Sequence, residues 1–182
     1  MSGAADEEQV ILVDADDVQI GTMGKLDAHR RGLKHRAVSV LVRNAEGALL
    51  LQRRSIGKYH SGGLWANACC SHPLPGESTA AAAHRRLGQE MGFDCPLAPL
   101  FITHYRAAVS NELTEDEVVH GFGGVHDGPV KPDPAEASEW RWITFADLKE
   151  DLRARPEAYA VWFRHYLREH GDQIANWIAR GR

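Results

Sequence analysis

Two adjacent cysteines and a histidine, Cys69, Cys70 and His72, precede a helix-like run in the middle of the sequence. Side chains of these types at this spacing could bind a metal ion or carry out thiol chemistry. They could equally pack in a core, because a free cysteine is usually a small buried hydrophobic residue. The three residues alone leave all three interpretations open.

Charged side chains at helical and strand spacing suggest a second kind of chemistry. Arg86 and Glu90 lie four residues apart in the helix-like run, so they share one face and can address the same part of a ligand. Glu115 and Glu117 lie two residues apart, so in an extended strand both side chains point to one side. Two carboxylates placed in this way can reach one cation.

Composition limits the classes of function. The 182 residues are 43% hydrophobic and 25% charged, which predicts a folded domain with a substantial core. The net charge of -4 argues against a dedicated nucleic-acid partner. A small anionic ligand is still possible, because it needs only a local basic pocket.

No segment of the sequence resembles a membrane anchor or a secretion signal. No apolar run approaches the roughly 20 residues of a membrane helix, so no membrane partner is expected. The start of the chain, MSGAADEEQV, is acidic and lacks the pattern of a signal peptide. The three cysteines are too few and too oddly spaced for a disulfide framework, which favours a cytoplasmic location.

Short apolar or alternating runs predict the strands that would position these residues. They span residues 10–13, 37–42, 48–52, 100–109, 118–127 and 139–143. The second and third runs flank the turn RNAEG and predict a β-hairpin.

Helix signals are concentrated in the middle and at the end of the chain. An alanine-rich helix is predicted over residues 78–91, with Ser78 as its N-cap and Gly92 as its stop. Thr144 is predicted to cap a further helix, and a C-terminal helix follows. The order of elements indicates an α+β fold with mixed or antiparallel sheets. We expect one domain over residues 1–182, with a disordered tail at 1–9 and a helical part at 144–182.

The run around the central helix resembles the Nudix cassette, whose pattern is G-x5-E-x7-R-E-U-x-E-E-x-G-U with U apolar. Glu77, Arg85 and Glu90 match that pattern. Ser71 replaces its first glycine, while Arg86 and Gln89 replace two of its glutamates. The resemblance implies a loop–helix–loop in which carboxylates hold a divalent metal against a diphosphate. Two of those carboxylates are missing from this chain.

Four further motifs, in order, resemble type I isopentenyl diphosphate isomerase, a Nudix-fold enzyme. They are KLDAHRRGLKHRAVS at 25–39, RRSIGK at 53–58, WANACCSHP at 65–73, and YRA followed by EDEV at 105–118. The resemblance covers about residues 10–162. It implies interconversion of isopentenyl and dimethylallyl diphosphate through a tertiary carbocation. A Nudix diphosphate hydrolase is the alternative, but Arg86 and Gln89 disfavour it and it leaves Cys70 without a role.

The resemblance also implies roles for four catalytic residues. Cys70 and Glu117 would be the acid and base on opposite faces of the substrate. Tyr105 would be hydrogen-bonded to Glu117, and Trp162 would face the cation. Cys69 would be a bystander.

Two divalent cations and an anion pocket complete what the resemblance implies. An Mn²⁺ or Zn²⁺ ion would bind His29, His35, His72, Glu115 and Glu117. The spacing between His29 and His35 varies slightly within the family, so Asp27 or His60 could replace one ligand. An Mg²⁺ ion would bridge the diphosphate to Glu90 and the carbonyl group of Cys70. The basic contacts to the diphosphate would be Lys25, Arg54, Lys58 and Arg86. The partner would be a small-molecule substrate, and the protein would be a monomer or weak homodimer.

Overall fold

The computed structural model describes residues 8–180, and its strands and helices follow the order predicted for an α+β fold. The strands are β1 (Gln9–Val13), β2 (Gln19–Gly24), β3 (His35–Arg43), β4 (Leu49–Arg54), β5 (Trp65–Asn67), β6 (Cys69–Ser71), β7 (Leu97–Ala108), β8 (Thr114–Val125) and β9 (Ala137–Ile143). The helices are α1 (Lys25–Arg31), α2 (Thr79–Met91), α3 (Phe145–Ala154) and α4 (Val161–Ala179), with a short 3-10 turn at Pro156–Ala158. The predicted α+β class is confirmed.

Strand β3 is the centre of a mixed sheet. It pairs in parallel with β8 from His35 to Arg43, and antiparallel with β6. Strand β8 pairs antiparallel with β7 along its length, while β4 pairs antiparallel with β5 and β9. The parallel β3–β8 pair therefore places the start of both strands, which carry candidate site residues, side by side.

The two faces of this sheet are covered by different helices, because side chains alternate along β3. Val38, Val40 and Val42 pack with Leu87 and Met91 of α2 in one buried cluster. On the other face, Ala37 and Leu41 belong to a buried cluster with residues of α3 and α4, including Leu148, Phe163 and Tyr166. Both clusters are almost fully excluded from solvent.

The predicted central helix is confirmed together with its caps. Ser78 accepts a hydrogen bond from the backbone of Ala81 at 3.2 Å, and Gly92 adopts a left-handed conformation with φ of 75°. A Cβ atom on Gly92 would lie 2.2 Å from the carbonyl oxygen of Lys131, so only glycine fits there. Thr144 also caps α3 as predicted, by accepting from Asp147.

Three expectations about the fold need correction. The predicted hairpin exists only at its turn, since β3 and β4 share the single pair Arg43–Leu49 before turning to other strands. Strand β2 and helix α1 were not predicted. Gln9, placed in the expected disordered tail, begins β1; residues 1–7 of that tail lie outside the described residues. Among residues 8–180, no helix is both long and apolar enough to cross a membrane.

Candidate active site and metal centre

The strand register brings the candidate site together at one end of β8. Glu117 is the register partner of His35 on β3 and of Tyr105 on β7. Strand β6 pairs Cys70 with Ser39 of β3, in the middle of the three pairs that join β3 and β6. Pairing between distant segments thus assembles residues that lie more than 80 positions apart in the chain.

Three buried histidines surround the carboxylate of Glu117. His72 Nε2 lies 3.0 Å and His35 Nε2 lies 3.4 Å from Glu117 Oε1. The ring of His29, carried by α1, lies 4.7 Å from that of His35 and 5.6 Å from that of His72. His29, His35, His72 and Glu117 each offer a ligand atom within 4.8 Å of the others, and all four are buried.

Backbone carbonyl groups fix the orientation of two of these imidazoles. His29 Nδ1 lies 2.7 Å from the carbonyl oxygen of Lys25, and His35 Nδ1 lies 2.8 Å from that of Leu33. With the proton on Nδ1, each Nε2 presents its lone pair to the cluster, as metal-bound histidines commonly do. The Nε2 atoms of His29 and His35 and the Nδ1 atom of His72 have no hydrogen-bond partner.

Burial and neighbouring charges set the protonation of this cluster. Burial, helped by the nearby His72 and His35, lowers the pKa of His29 to about 3. Burial also lowers the pKa of His72 to about 4, although Glu117 opposes it. Burial alone would raise the pKa of Glu117, but its contacts with His35 and His72 lower it well below the usual value. Burial would lower the pKa of His35, but its contacts with Glu117 outweigh burial and raise it. The cluster therefore holds two neutral imidazoles, His29 and His72, beside an ionised carboxylate, and a bound cation would compete with a proton on His35.

Tyr105 joins the two glutamates of the β8 strand. Its hydroxyl group lies 2.7 Å from Glu115 Oε2 and 2.9 Å from Glu117 Oε2. Glu115 also lies 3.1 Å from Nε2 of His60 through its other oxygen. The expectation that both carboxylates point to one side of the strand agrees with these contacts. Asp116, between them, pairs with His104 and Arg106 instead.

The two cysteines face opposite sides of β6. Cys69 is fully buried in the cluster beneath α2. The Sγ atom of Cys70 donates a hydrogen bond to Asn67 Oδ1 at 3.2 Å and lies 3.2 Å from Ser39 Oγ. Asn67 is itself held by donating to the carbonyl groups of Val40 and Cys69. Burial raises the pKa of the Cys70 thiol to about 12, so it keeps its proton at neutral pH.

A pocket with an empty volume of about 290 Å³ connects the thiol to the carboxylates. It is lined by Arg54, Tyr59, His60, Cys70, Ser71, His72, Tyr105, Glu115, Glu117 and Trp162. Trp162, from the start of α4, is 2% exposed, and the guanidinium group of Arg54 lies 5.0 Å from its ring centre. This pocket brings a thiol, two carboxylates and an aromatic ring together.

Comparison with known proteins places this arrangement in a family. A family model for the NUDIX domain matches residues 33–165. Isopentenyl-diphosphate Delta-isomerase 1 of Aromatoleum aromaticum is 51% identical over 156 residues, which is 86% of this chain and 88% of that protein. Isopentenyl-diphosphate Delta-isomerase of Burkholderia multivorans is 50% identical, over 96% of this chain and 99% of that protein. The chain belongs to the isopentenyl-diphosphate Delta-isomerase family.

The fold alone is shared more widely. The crystal structure of DR0079 from Deinococcus radiodurans matches with a TM-score of 0.68 at 20% identity, over 81% of this chain and 90% of that chain. The membership of the isopentenyl-diphosphate Delta-isomerase family rests instead on the relatives at about half identity. It also agrees with the departures from the Nudix pattern at Arg86 and Gln89.

Metal binding fits the donors found in this member of the isopentenyl-diphosphate Delta-isomerase family. Buried imidazole nitrogens without partners, next to an ionised carboxylate, are costly unless a cation binds them. Imidazole and carboxylate donors together suit a divalent transition metal. His29, His35, His72 and Glu117 are the residues that would hold it, with Glu115 on the adjoining side of the cluster.

Three of the four predicted anion-binding residues are paired with carboxylates. Lys25 Nζ lies 2.9 Å from Glu8 Oε2, and Lys58 contacts Glu136. Arg86 Nη2 lies 2.9 Å from Glu90 Oε1 and 3.3 Å from Glu136 Oε1. Glu90 is 3% exposed and is also bonded by Gln52. These residues lie outside the lining of the pocket, whereas Arg54 belongs to it.

Of the two replacement ligands considered from the sequence, Asp27 lies outside the candidate metal site and His60 lies in it. Asp27 is exposed and pairs with Arg30 at 3.1 Å. His60 is 2% exposed and forms a second group of possible ligands with His29 and Glu115. The structure thus gives His60 a place beside the predicted histidines. The signal for His60 in the sequence was the variable spacing between His29 and His35 in the family motif.

Proposed function

We propose that this protein interconverts isopentenyl diphosphate and dimethylallyl diphosphate by moving a proton on and off a five-carbon unit. The observation that carries this proposal is the shared pocket of the Cys70 thiol and the Glu117 carboxylate. A thiol and a carboxylate that face the same pocket can deliver a proton to a substrate between them and remove one from it. Family membership at about half identity supports the same substrate pair.

The proposed reaction moves one double bond, exchanges one hydrogen and keeps the molecular formula of the substrate. A proton adds to the terminal CH₂ carbon of isopentenyl diphosphate, and the alkene electrons form the new C–H bond. The resulting tertiary carbocation then loses a proton from the carbon next to the CH₂O group, whose C–H electrons form the new double bond. Cys70 and Glu117 supply the donor and the acceptor, on opposite faces of the substrate.

Trp162 is proposed to stabilise the carbocation. Its indole ring lies in the pocket and is nearly inaccessible to water. A cation over an indole face gains about 2 kcal/mol or more when it is desolvated. Exclusion of water also protects the carbocation from capture by a hydroxyl group. Arg54, which packs on the ring, would remain near the rim to meet the diphosphate.

The diphosphate is proposed to bind Lys25, Arg54, Lys58 and Arg86. Glu8 and Glu136 already pair with three of these cations, so an incoming diphosphate would compete with carboxylates for prearranged positive charge. Glu90 and the carbonyl group of Cys70 would hold the Mg²⁺ ion that bridges to the diphosphate. An Mn²⁺ or Zn²⁺ ion in the histidine cluster would supply a fixed positive charge that tunes the proton affinity of Glu117.

Incubation with isopentenyl diphosphate tests this proposal. The protein is supplied with Mg²⁺ and Mn²⁺, and both dimethylallyl diphosphate and inorganic phosphate are measured over time. We expect isomer formation without phosphate release in the wild type, and neither in Cys70→Ala. Phosphate release without isomer formation would identify a diphosphate hydrolase and overturn the proposal. Binding of the diphosphate without turnover would identify a non-catalytic module.

A further inference from the structure

His60 lies in the loop between β4 and β5 and is buried beside the predicted ligands. Its ring is 2% exposed and packs edge-on against Trp162 and Tyr59, with ring centres 5.7 Å and 4.4 Å away. Its Nε2 atom lies 3.1 Å from Glu115 Oε1. This contact does not have hydrogen-bond geometry, so the Nε2 atom of His60 has no hydrogen-bond partner. A buried polar atom in this state needs an explanation.

The orientation of His60 matches that of two predicted ligands. In His29 and His35, Nδ1 is bonded to a backbone oxygen, and Nε2 faces the cluster without a hydrogen-bond partner. In His60, Nδ1 lies 3.1 Å from the hydroxyl oxygen of Ser61, and Nε2 again faces the cluster without one. Metal-binding histidines are commonly oriented by a hydrogen bond from one ring nitrogen to an oxygen atom, which leaves the other ring nitrogen free to bind the metal ion.

The position of His60 also completes a ligand group. His29, His60 and Glu115 offer ligand atoms within 4.8 Å of one another, as do His29, His35, His72 and Glu117. Both groups contain His29, and a neutral imidazole nitrogen has one lone pair, so it serves one ion. His29 is the member that the two groups share, so His60 and Glu115 adjoin the larger group at that residue.

We propose that His60 is a fourth imidazole ligand of the cation in this cluster. This inference rests on the divalent metal that the proposed function assigns to the site. His60 lies on the side of Glu115, whose Oε1 atom is 3.1 Å from its Nε2 atom. A fourth nitrogen donor makes the site more selective for Co²⁺, Zn²⁺ or Mn²⁺ over Mg²⁺, which prefers oxygen.

The test counts imidazoles directly in the wild-type protein. The metal-free protein is loaded with one equivalent of Co²⁺, and X-ray absorption measures the number of imidazole ligands. We expect four in the wild type and three in His60→Ala. Three in the wild type would overturn the assignment of His60 and leave the metal centre intact. No Co²⁺ binding in the wild type would overturn the metal centre itself, so the two failures are distinguishable.

Affinity measurements provide an independent readout. Competition with a chelator should give a Kd for Co²⁺ that is about 10- to 100-fold higher in His60→Ala than in the wild type. Ser61→Ala removes the oxygen beside Nδ1 and should weaken binding less. The control is His84→Ala, because His84 lies on α2 and pairs with Asp94 at 2.7 Å, and both side chains are partly exposed. An unchanged Kd in a folded His60→Ala protein would overturn the proposal.

Discussion

The hydroxyl group of Tyr105 lies 2.9 Å from Oε2 of Glu117, deep in the pocket. The same hydroxyl lies 2.7 Å from Glu115. A hydroxyl group has one proton, so it can donate to only one of the two carboxylates at a time. Tyr105 is therefore placed to adjust how strongly Glu117 holds a proton during the reaction.

Removal of this hydroxyl group should slow turnover without removing the metal. In Tyr105→Phe we expect kcat to fall by about 10- to 100-fold, because Glu117 loses a buried hydrogen bond. The KM should change little, since the hydroxyl bonds Glu115 and Glu117 and none of the proposed diphosphate contacts. Steady-state kinetics and metal analysis on the same preparation check both points. Tyr159→Phe is the control, because that hydroxyl bonds Asp151 outside the pocket. Equal losses in the two variants would point to general destabilisation.

The two cysteines should respond very differently to the same substitution. Cys70→Ala should lower kcat by at least about 1000-fold, because it removes one of the two proton-transfer groups. Cys69→Ala should keep most activity and lose some stability, since it only creates a small space in the core beneath α2. Turnover assays and thermal unfolding of both variants make the comparison. An inactive Cys69→Ala beside an active Cys70→Ala would show that the assignment is off by one residue.

Cys70 should also be the site of covalent capture by a substrate analogue. An epoxide analogue of isopentenyl diphosphate opens when it is protonated, and a pocket nucleophile then forms a bond to its carbon. Peptide mass spectrometry should place the adduct on Cys70. An adduct found only outside the pocket would remove Cys70 from the proton-transfer pair.

Loss of a histidine ligand should release metal as well as activity. In His72→Ala we expect metal affinity to fall by about 10-fold or more, because a donor is lost and Glu117 loses its 3.0 Å contact. Metal content after dialysis, measured by elemental analysis, checks this. His84→Ala should retain the wild-type metal content. Full metal content in a folded His72→Ala protein would exclude His72 as a ligand.

Arg86 tests the anion site, where this chain departs from the Nudix pattern. Arg86→Glu places a negative charge beside Glu90 and Glu136, so KM for isopentenyl diphosphate should rise by at least about 10-fold. Arg86→Lys keeps the charge but loses the forked geometry, so its effect should be smaller. Neither variant should release phosphate efficiently, since Gln89 still supplies no carboxylate. An unchanged KM in Arg86→Glu would remove this helix face from the diphosphate site.

Local sequence patterns predicted correctly those elements whose start and end signals lie in neighbouring residues. The α2 helix has its own N-cap and its own glycine stop, so Ser78 and Gly92 mark its ends without reference to the rest of the chain. The predicted hairpin is limited to its turn because β3 gains more pairing from the distant β8 than from its neighbour β4. Strand β2 is largely exposed, with a weak apolar pattern, and therefore gave no periodic signal.

In the candidate site, too, residues within sequence motifs could be predicted, whereas contacts that depend on tertiary packing could not. His72 and Glu117 were found because they lie in recognisable motifs, and the structure places them in contact. From the sequence, His60 was only a possible replacement for one ligand, because its burial at the site depends on the folding of its loop against Trp162 and Glu115. Pairing of the basic residues with Glu8 and Glu136 likewise depends on tertiary structure.

Solvent isotope incorporation tests the central claim most directly. Isopentenyl diphosphate is incubated with the protein, Mg²⁺ and Mn²⁺ in ²H₂O, and the products are followed by NMR. The account predicts deuterium in a methyl group of newly formed dimethylallyl diphosphate, with the diphosphate intact and with no incorporation in Cys70→Ala. Dimethylallyl diphosphate that forms without solvent deuterium, or phosphate release in place of isomerisation, would contradict it.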